Sequence, residues 1–421
     1  MSNNSYNLKK LWENYLYTMA ISVETPNGLT ELQPVQINSA YIEKDFDNSF
    51  LPIFLVNLNL QKDLYYDIIN NHTTSKFIIQ IDKYIDPGNT GKAKTKRVYI
   101  RDKFIPIIND KTPFTDEKFY KTIKYNGGNK VGNQLIPYDL MQSYDFVLVR
   151  ESDLLATKKT MNTVFSSTNI ITALTTVLSN AGVKNVLLSS LDNSTTYREL
   201  LTLPVPLIPQ LKYIDSYYGL YKEGSQIFFD MDRAYILRNS PQCTAWSQNE
   251  FKEVAITINM PSSGQDLMVG SVVDNEQKTI FLNTNKDQVS FIDKTTSSDM
   301  TIGNKTMLVN TVSGGITNVN PSVSTIGSTT SNIRTTSTRN EYANSELQMR
   351  QSEFRNIVNI ICNGIDISHI TPNKKYKLLS NIPSIIGKIK GDYRLCRVIY
   401  HFAKEGDHFA VMTNLELRRP N

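Results

Sequence analysis

The chain has 421 residues, 45 Lys and Arg against 40 Asp and Glu, and a formal net charge of +5. Only 20% of residues are charged and 40% are apolar, so Asn, Ser, Thr and Tyr fill much of the polar remainder. That composition excludes a highly charged disordered chain and a coiled coil, which needs far more Glu, Lys, Ala and Leu. The length suggests about two or three domains, with 22 Tyr and 17 Phe to fill their cores.

The N-terminal stretch MSNNSYNLKKLWENYLY lacks the apolar centre of a signal peptide. The best apolar run, Leu51 to Leu60, is interrupted by Pro52, Asn57 and Asn59 and falls short of the roughly 20 residues of a membrane-spanning helix. Cys243, Cys362 and Cys396 are far apart and form no CxxC, which points to synthesis in a reducing compartment without a disulfide framework or zinc site.

Residues 1–150 read as mostly strand. Apolar and polar residues alternate over Leu32–Ile42, Ile53–Leu60, Phe77–Ile85, Arg97–Ile105 and Tyr144–Val149, the pattern of half-buried strands in a sandwich or barrel. A short helix over Leu64–Asn70 crosses the sheet. Lys92, Lys94, Lys96 and Arg97 make the densest basic cluster, at the tip of a hairpin between IIQIDKYI and RVYIRDKFI. It is either a solvated loop or a contact for an acidic partner.

Residues 151–240 read as a small α+β unit. Asn169 is a helix N-cap, Ile170, Ile171, Leu174, Val177 and Leu178 form the buried face, and Gly182 ends the helix. Pro204, Pro206 and Pro209 enforce an extended approach. A second helix over Ile208–Tyr218 carries Leu211, Ile214, Tyr217 and Tyr218 and stops at Gly219. A hairpin follows, turning at Glu223-Gly224 into QIFFDMDRAYIL.

Strands return at Val254–Ile258, Leu267–Val273, Thr279–Leu282 and Val289–Ile292. Residues 311–340 are rich in Ser, Thr, Asn and Gly and read as a linker or loop, or else as polar, solvent-facing strands. A helix is predicted over Asn344–Ile361, its stripe being Leu347, Phe354, Ile357, Ile360 and Ile361. Strands over Ile365–Ile370 and Tyr376–Leu379 precede a final hairpin that turns at Lys404–Asp407.

The chemical motifs are sparse. The sequence carries no P-loop, GxGxxG, GxSxG or HExxH. His72, His369, His401 and His408 form no ligand pair by spacing, although His401 and His408 could approach across the final hairpin. Cys396 and His401 are an odd number of residues apart on one strand, which points them to opposite faces. Asp230 and Asp232 share a strand face, as an acid pair or as an exposed hairpin edge with Phe229 and Met231 packed behind. No catalytic, cofactor or metal residue is nominated.

The stretch LLTLPVPLIPQLKYIDSYYGLYKEGSQIFFDMDRAYIL resembles the tail hub family of phages, which includes baseplate hub proteins of contractile tails and the first part of tail-associated proteins of long-tailed phages. The positions that carry the likeness are Tyr218, Gly219, Tyr221, Phe228, Phe229 and Asp230. VQINSAYIEKDFDNSFLPIFLVNLNL is similar to that family's first barrel strands, and GDYRLCRVIYHFAKEGDHFAVMTNLELRR to its final hairpin.

The resemblance implies a mainly β chain with two tail-tube-like β-barrel domains and a small α+β insertion. The implied divisions are 1–150 for the first barrel, 151–240 for the insertion, and 241–310 with 341–421 for the second barrel, with 311–340 as the linker or loop. It further implies a homotrimer in the virion whose six barrels adapt a six-fold tail tube to a three-fold central spike. Its partners would be the tube protein, the spike protein and other baseplate proteins. DNA would pass through the lumen without specific binding, no cofactor would be needed, and any lytic or piercing function would sit on a separate polypeptide. Phe228 and Phe229 would place one ring on each face of their sheet. The alternatives are another tail component, such as a tube, adaptor or fibre-base protein, and a cell-wall hydrolase, which would require two carboxylates in a cleft.

Overall fold

The computed structural model describes residues 15–85, 96–107, 128–131, 134–137, 141–221, 224–230, 233–239, 252–259, 270–273, 277–283, 287–292, 297–302, 305–309, 316–319, 328–333, 355–380 and 389–420. The N-terminal part contains strands β1 (Tyr15–Thr25), β2 (Gly28–Glu31), β3 (Ile37–Asp45) and β4 (Ile53–Gln61), helix α1 (Lys62–Asn70), then β5 (Lys76–Ile85), β6 (Arg97–Pro106), β7 (Gly128–Val131), β8 (Gln134–Pro137) and β9 (Met141–Arg150). The insertion contains α2 (Glu151–Thr157), β10 (Val164–Asn169), α3 (Ile170–Asn180), β11 (Asn185–Leu188), β12 (Thr196–Leu201), α4 (Leu207–Tyr218), β13 (Ser225–Asp230) and β14 (Arg233–Arg238). The remainder contains β15 (Glu253–Asn259), β16 (Gly270–Val273), β17 (Gln277–Asn283), β18 (Gln288–Ile292), β19 (Ser297–Ile302), β20 (Lys305–Val309), β21 (Ile316–Val319), β22 (Ser328–Ile333), β23 (Arg355–Asn363), β24 (Lys375–Ser380), β25 (Gly391–Glu405) and β26 (His408–Pro420).

Period-two alternation builds the barrel. Tyr17, Met19, Ile21 and Val23 of β1, Phe54, Val56 and Leu58 of β4, and Phe77, Ile79 and Ile81 of β5 all point into one core, as alternate side chains of a strand must. The strands pair in the order β25–β3–β4–β9–β6–β5–β1–β26, and β26 pairs back onto β25. Eight strands therefore close into a ring, with the β6–β9 seam paired only over Phe104–Pro106. The mainly β class with an α+β insertion matches the expectation.

The closing hairpin is longer than the barrel needs. Gly406, with a φ of 62°, forms its turn, where glycine carries no Cβ penalty. Near the turn, Arg397–Ala403 of β25 pair with β3 and Phe409 of β26 faces Tyr17 of β1. Further out, Gly391–Tyr393 pair with β24 and Met412–Pro420 pair with β23. A register shift between Leu395 and Arg397 leaves Cys396 as the extra, buried residue where one set of partners gives way to the other. The outer half thus carries a second sheet, β18–β23–β26–β25–β24–β15–β17–β16. Val254, Ile256, Val358, Ile360, Tyr376 and Leu378 of that sheet belong to the same core as the barrel.

Several expectations are corrected. Residues 1–150 do not close a barrel alone, because β25 and β26 complete the ring. The helix expected over Asn344–Ile361 is a strand from Arg355 on; its residues 344–354 lie outside the described residues. Val358, Ile360 and Cys362 are buried at period two, and the run of β-branched residues favours the pleat. Ile365–Ile370 is not a strand but contains a 3₁₀ turn at Ile367–His369, capped by the Asp366 carboxylate accepting the Ser368 N–H at 3.0 Å. The segment 311–340, read first as linker or loop and alternatively as polar strands, contributes strands β21 and β22 to a four-stranded sheet with β19 and β20, in line with the alternative. β1 was not anticipated at all.

Phe402 on β25 is fully buried and meets Tyr17 edge-on at 5.7 Å. Phe402→Ala is expected to lower unfolding free energy by about 3–5 kcal/mol in urea titrations. A loss below about 1 kcal/mol would contradict the role of the hairpin as the barrel's closing element.

Candidate functional site at the junction of insertion and barrel

The six residues singled out in the sequence fall into two groups. Tyr218, Gly219 and Tyr221 organise the insertion. Asn169 caps α3 as expected, accepting the Thr172 N–H at 2.9 Å. Tyr218 ends α4 among Tyr197, Tyr213 and Tyr217, and its hydroxyl accepts the Leu201 N–H at 2.9 Å. Gly219 then reverses the chain with a φ of 72°. The freed carbonyls of Tyr218 and Gly219 accept from the Asn193 amide at 2.8 and 2.9 Å. The buried Tyr221 hydroxyl lies 2.9 Å from the Ser189 carbonyl and 3.0 Å from that of Ile236.

Phe228, Phe229 and Asp230 lie on β13 and dock the insertion on the barrel. The two rings go to opposite faces, as expected. Phe229 joins the insertion core and Phe228 the barrel core, where it meets Phe46 edge-on at 4.6 Å. The Phe229 N–H donates to the Phe50 carbonyl at 2.9 Å, so the β3–β4 loop is stitched to β13. Phe50 and Leu51 of that loop pack against the insertion core, and the Lys212 ammonium sits 4.7 Å from the Phe50 ring centre.

Asp230 overturns the expectation of an exposed hairpin edge. It is buried and pairs with Lys44, whose side chain is 5% exposed. Asp232 lies outside the described residues. The hairpin itself runs between β13 and β14, with Asp230 opposite Arg233, so its turn falls after Asp230 and not at Glu223-Gly224. Beside the pair, Asp47 accepts two bonds from Arg394 at 2.8 and 3.0 Å, one from Gln226 at 3.3 Å, and lies 3.2 Å from Arg418. Burial works against the Arg394 charge, but Asp47 outweighs it and the guanidinium titrates above its ordinary value. Gln226 also donates to the Leu395 carbonyl at 3.2 Å, next to the bulge in β25. Sequence reasoning missed Lys44, Asp47, Gln226 and Arg394. Their signal is weak, because each partner lies more than a hundred residues away in the chain or on another sheet.

The arrangement is suited to holding surfaces together. Among the described residues, no three His, Cys, Asp or Glu side chains converge as metal ligands. Cys362 and Cys396 are buried, and burial pushes the Cys362 thiol far up, away from the thiolate a nucleophile requires. His401 lies away from Cys396, stacked on Tyr41 at 4.1 Å on the barrel's outer side, and burial lowers its pKa. Of the basic cluster, Lys96 and Arg97 are exposed at the head of β6. Lys92 and Lys94 lie outside the described residues. No helix among the described residues is long and apolar enough to cross a membrane.

Fold and junction together define a barrel protein that carries a docked α+β insertion on buried charge pairs. The family model of the Bacteriophage PBS1 gene 109 protein matches residues 8–420, and the chain belongs to that family. Phage tail proteins are among its structural neighbours. It is similar to the tail protein from Neisseria meningitidis MC58, at 9% identity over 96% of this chain and 97% of that one, with a TM-score of 0.49. It is similar also to the 43 kDa tail protein of prophage MuSo2 from Shewanella oneidensis, at 9% identity over 96% and 97%, with a TM-score of 0.48. The prophage tail protein gp18 from Listeria monocytogenes EGD-e shares 9% identity over 94% of each chain, with a TM-score of 0.37. No curated protein matches the chain.

Two outcomes are expected. Asp230→Asn strands the buried Lys44 ammonium and should cost about 3–5 kcal/mol in urea unfolding, whereas the double change Lys44→Met with Asp230→Leu should recover most of it; equal losses would contradict a pair whose members matter to each other. Asp215 is raised above its ordinary value of 3.8, chiefly by burial, against opposing bonds from Ser225 and Leu220. The folded state therefore holds this proton more tightly, and its contribution to stability falls as pH rises from about 4 through the folded pKa. Asp215→Asn should be at least as stable as the parent at pH 7, with the difference shrinking toward pH 4 in parallel melts.

Proposed function

We propose that the chain is a structural phage tail protein that serves as the baseplate hub in the virion. Three copies join the six-fold tail tube to a three-fold central spike and anchor the surrounding baseplate proteins. No step of catalysis is involved; the mechanism is symmetry adaptation by a rigid scaffold.

Membership of a phage protein family supports the setting. The observation that supports the hub reading is the shared hairpin, on which one chain carries the closed barrel and an outer run of strands over a single continuous core. If the outer strands act as a second ring unit beside the closed barrel, three chains present six units to a six-fold partner and three whole repeats to a three-fold one. A rigid link matters, because a flexible one would let the two units drift out of the ring. The insertion, held by Lys44–Asp230 and the Asp47 cluster, stands ready as an outward docking body for neighbouring baseplate proteins. DNA passing along such a ring would meet a lumen and no base-reading surface.

Size exclusion with light scattering tests the three-fold element. The hub reading predicts about 143 kDa, three times the 47.8 kDa chain, for the protein alone or with the virion's spike protein. Six-chain rings or open polymers would shift the reading to a tube protein, and a chain that stays monomeric with the spike would overturn the hub.

A further inference from the structure

Strand β6 is covered unevenly. On one side β5 pairs with it from Arg97 to Phe104. On the other, β9 reaches it only at Phe104–Pro106, and the Ile107 N–H continues that contact to the Val147 carbonyl at 2.8 Å. This last bond sets the direction of the backbone groups. In an antiparallel strand alternate residues turn their N–H and C=O to the same side, so Ile105, Lys103 and Arg101 also face away from β5. At Lys103 no strand meets the N–H among the described residues; the carboxylate of Asp102 accepts it at 2.9 Å. Tyr99 is the extra residue of a bulge, since Ile81 faces Ile100 and Asp82 faces Val98, and bulges bend a strand out of its ladder. Among the described residues, therefore, no strand pairs with the first half of β6 on this side, while helix α2, which starts where β9 ends at Arg150, packs beside its second half.

Behind this stretch lies a cavity of about 190 Å³, walled by Ile42, Phe54, Ile100 and Phe104 with the Lys44–Asp230 pair at its side. A space of about 150 Å³ with such walls accommodates a benzene ring, so one aromatic side chain fits. The rim is basic. Lys96, Arg97, Arg101 and Lys103 are all exposed. Among the described residues only Lys103 of these four has a carboxylate partner, Glu24 at 3.2 Å. Asp102, the acidic residue between them, is engaged by Arg150. Val98, 58% exposed, adds an apolar contact at the same edge.

We propose that this edge docks an extended segment of a partner protein. The segment adds as a strand beside Arg101–Lys103, seats one aromatic side chain in the cavity, and carries Glu or Asp at its flanks. Strand addition supplies main-chain bonds, while the pocket and the charged rim select the sequence. Open strand edges invite pairing, and here the edge, the pocket and the charge coincide. The basic cluster that stands out in the sequence becomes, in its Lys96–Arg97 half, one wall of this dock.

Fluorescence anisotropy with the full chain tests it. The probe is a fluorescein-labelled heptapeptide, Glu-Glu-Val-Phe-Val-Glu-Glu. Saturable binding is expected, weakened by roughly tenfold or more when Lys replaces Glu, when Ala replaces Phe, or when both Val nitrogens are methylated. The variant Arg97→Glu with Arg101→Glu changes only exposed side chains and should keep the parent's circular dichroism while losing the acidic probe to a similar degree. Bound probe should also slow hydrogen exchange across residues 99–103. Absence of saturable binding, as when a segment of this chain itself fills the edge, would overturn the proposal. So would equal affinity for the acidic and lysine probes, or exchange protection confined to other strands.

Discussion

One hairpin sets the terms for the rest of this molecule. β25 and β26 are long enough to belong to two sheets, and the bulge at Cys396 divides their lengths between them. The inner half closes the ring with β3 and β1, and the outer half carries β24 and β23. Because adjacent strands share both main-chain bonds and a buried face, neither sheet can tilt without disturbing the other. The relative placement of the two sheets is therefore a property of covalently continuous strands and not of a linker. Under the proposed hub role, that stiffness would keep the units of a ring in register with the ring above.

The insertion is fixed by a different device. β13 sends Phe228 into the barrel core and Phe229 into its own, so two cores are joined through neighbouring residues of one strand. Charge then sets the register. Lys44 with Asp230, and Asp47 with Arg394, are buried or nearly so, and buried charges tolerate few alternative partners. Apolar contact alone would allow β13 to slide, and a one-residue slip would exchange Phe228 and Phe229 between the cores. Gln226 ties the same strand to the bulge through the Leu395 carbonyl, which couples the insertion to the hairpin.

Much of the barrel is legible in the sequence because β3, β4, β5, β6 and β9 alternate in part between apolar and polar residues. Helices α3 and α4 are legible from Asn169, Gly182 and Gly219 at their ends. The misreadings have physical causes. Ile357, Ile360 and Ile361 fit a helical stripe, yet Val358, Ile360 and Cys362 fit a pleat equally well, and pairing with β26 decides the matter. By contrast, β1 does alternate, with Tyr17, Met19, Ile21 and Val23 against Thr18, Ala20, Ser22 and Glu24, so its signal was present in the sequence and was overlooked. A charged residue on a strand reads as outward-facing, so Lys44 and Asp230 give no sign of being buried until their elements meet. Tyr218, Gly219, Tyr221, Phe228, Phe229 and Asp230 serve chain reversal and docking in the fold, which spacing alone does not disclose.

In the proposed hub, one chain contributes its closed barrel and the outer sheet joined to it as two units of a ring at the end of a tail tube. Cryo-electron microscopy of purified tails, with this chain fitted at the tube's distal end, tests it most directly. The account predicts three copies around the tail axis, with the β25–β26 hairpin bridging neighbouring units of a six-membered ring above a three-fold spike. Six copies in the ring, copies repeated along the tube, or a position away from the axis would contradict it.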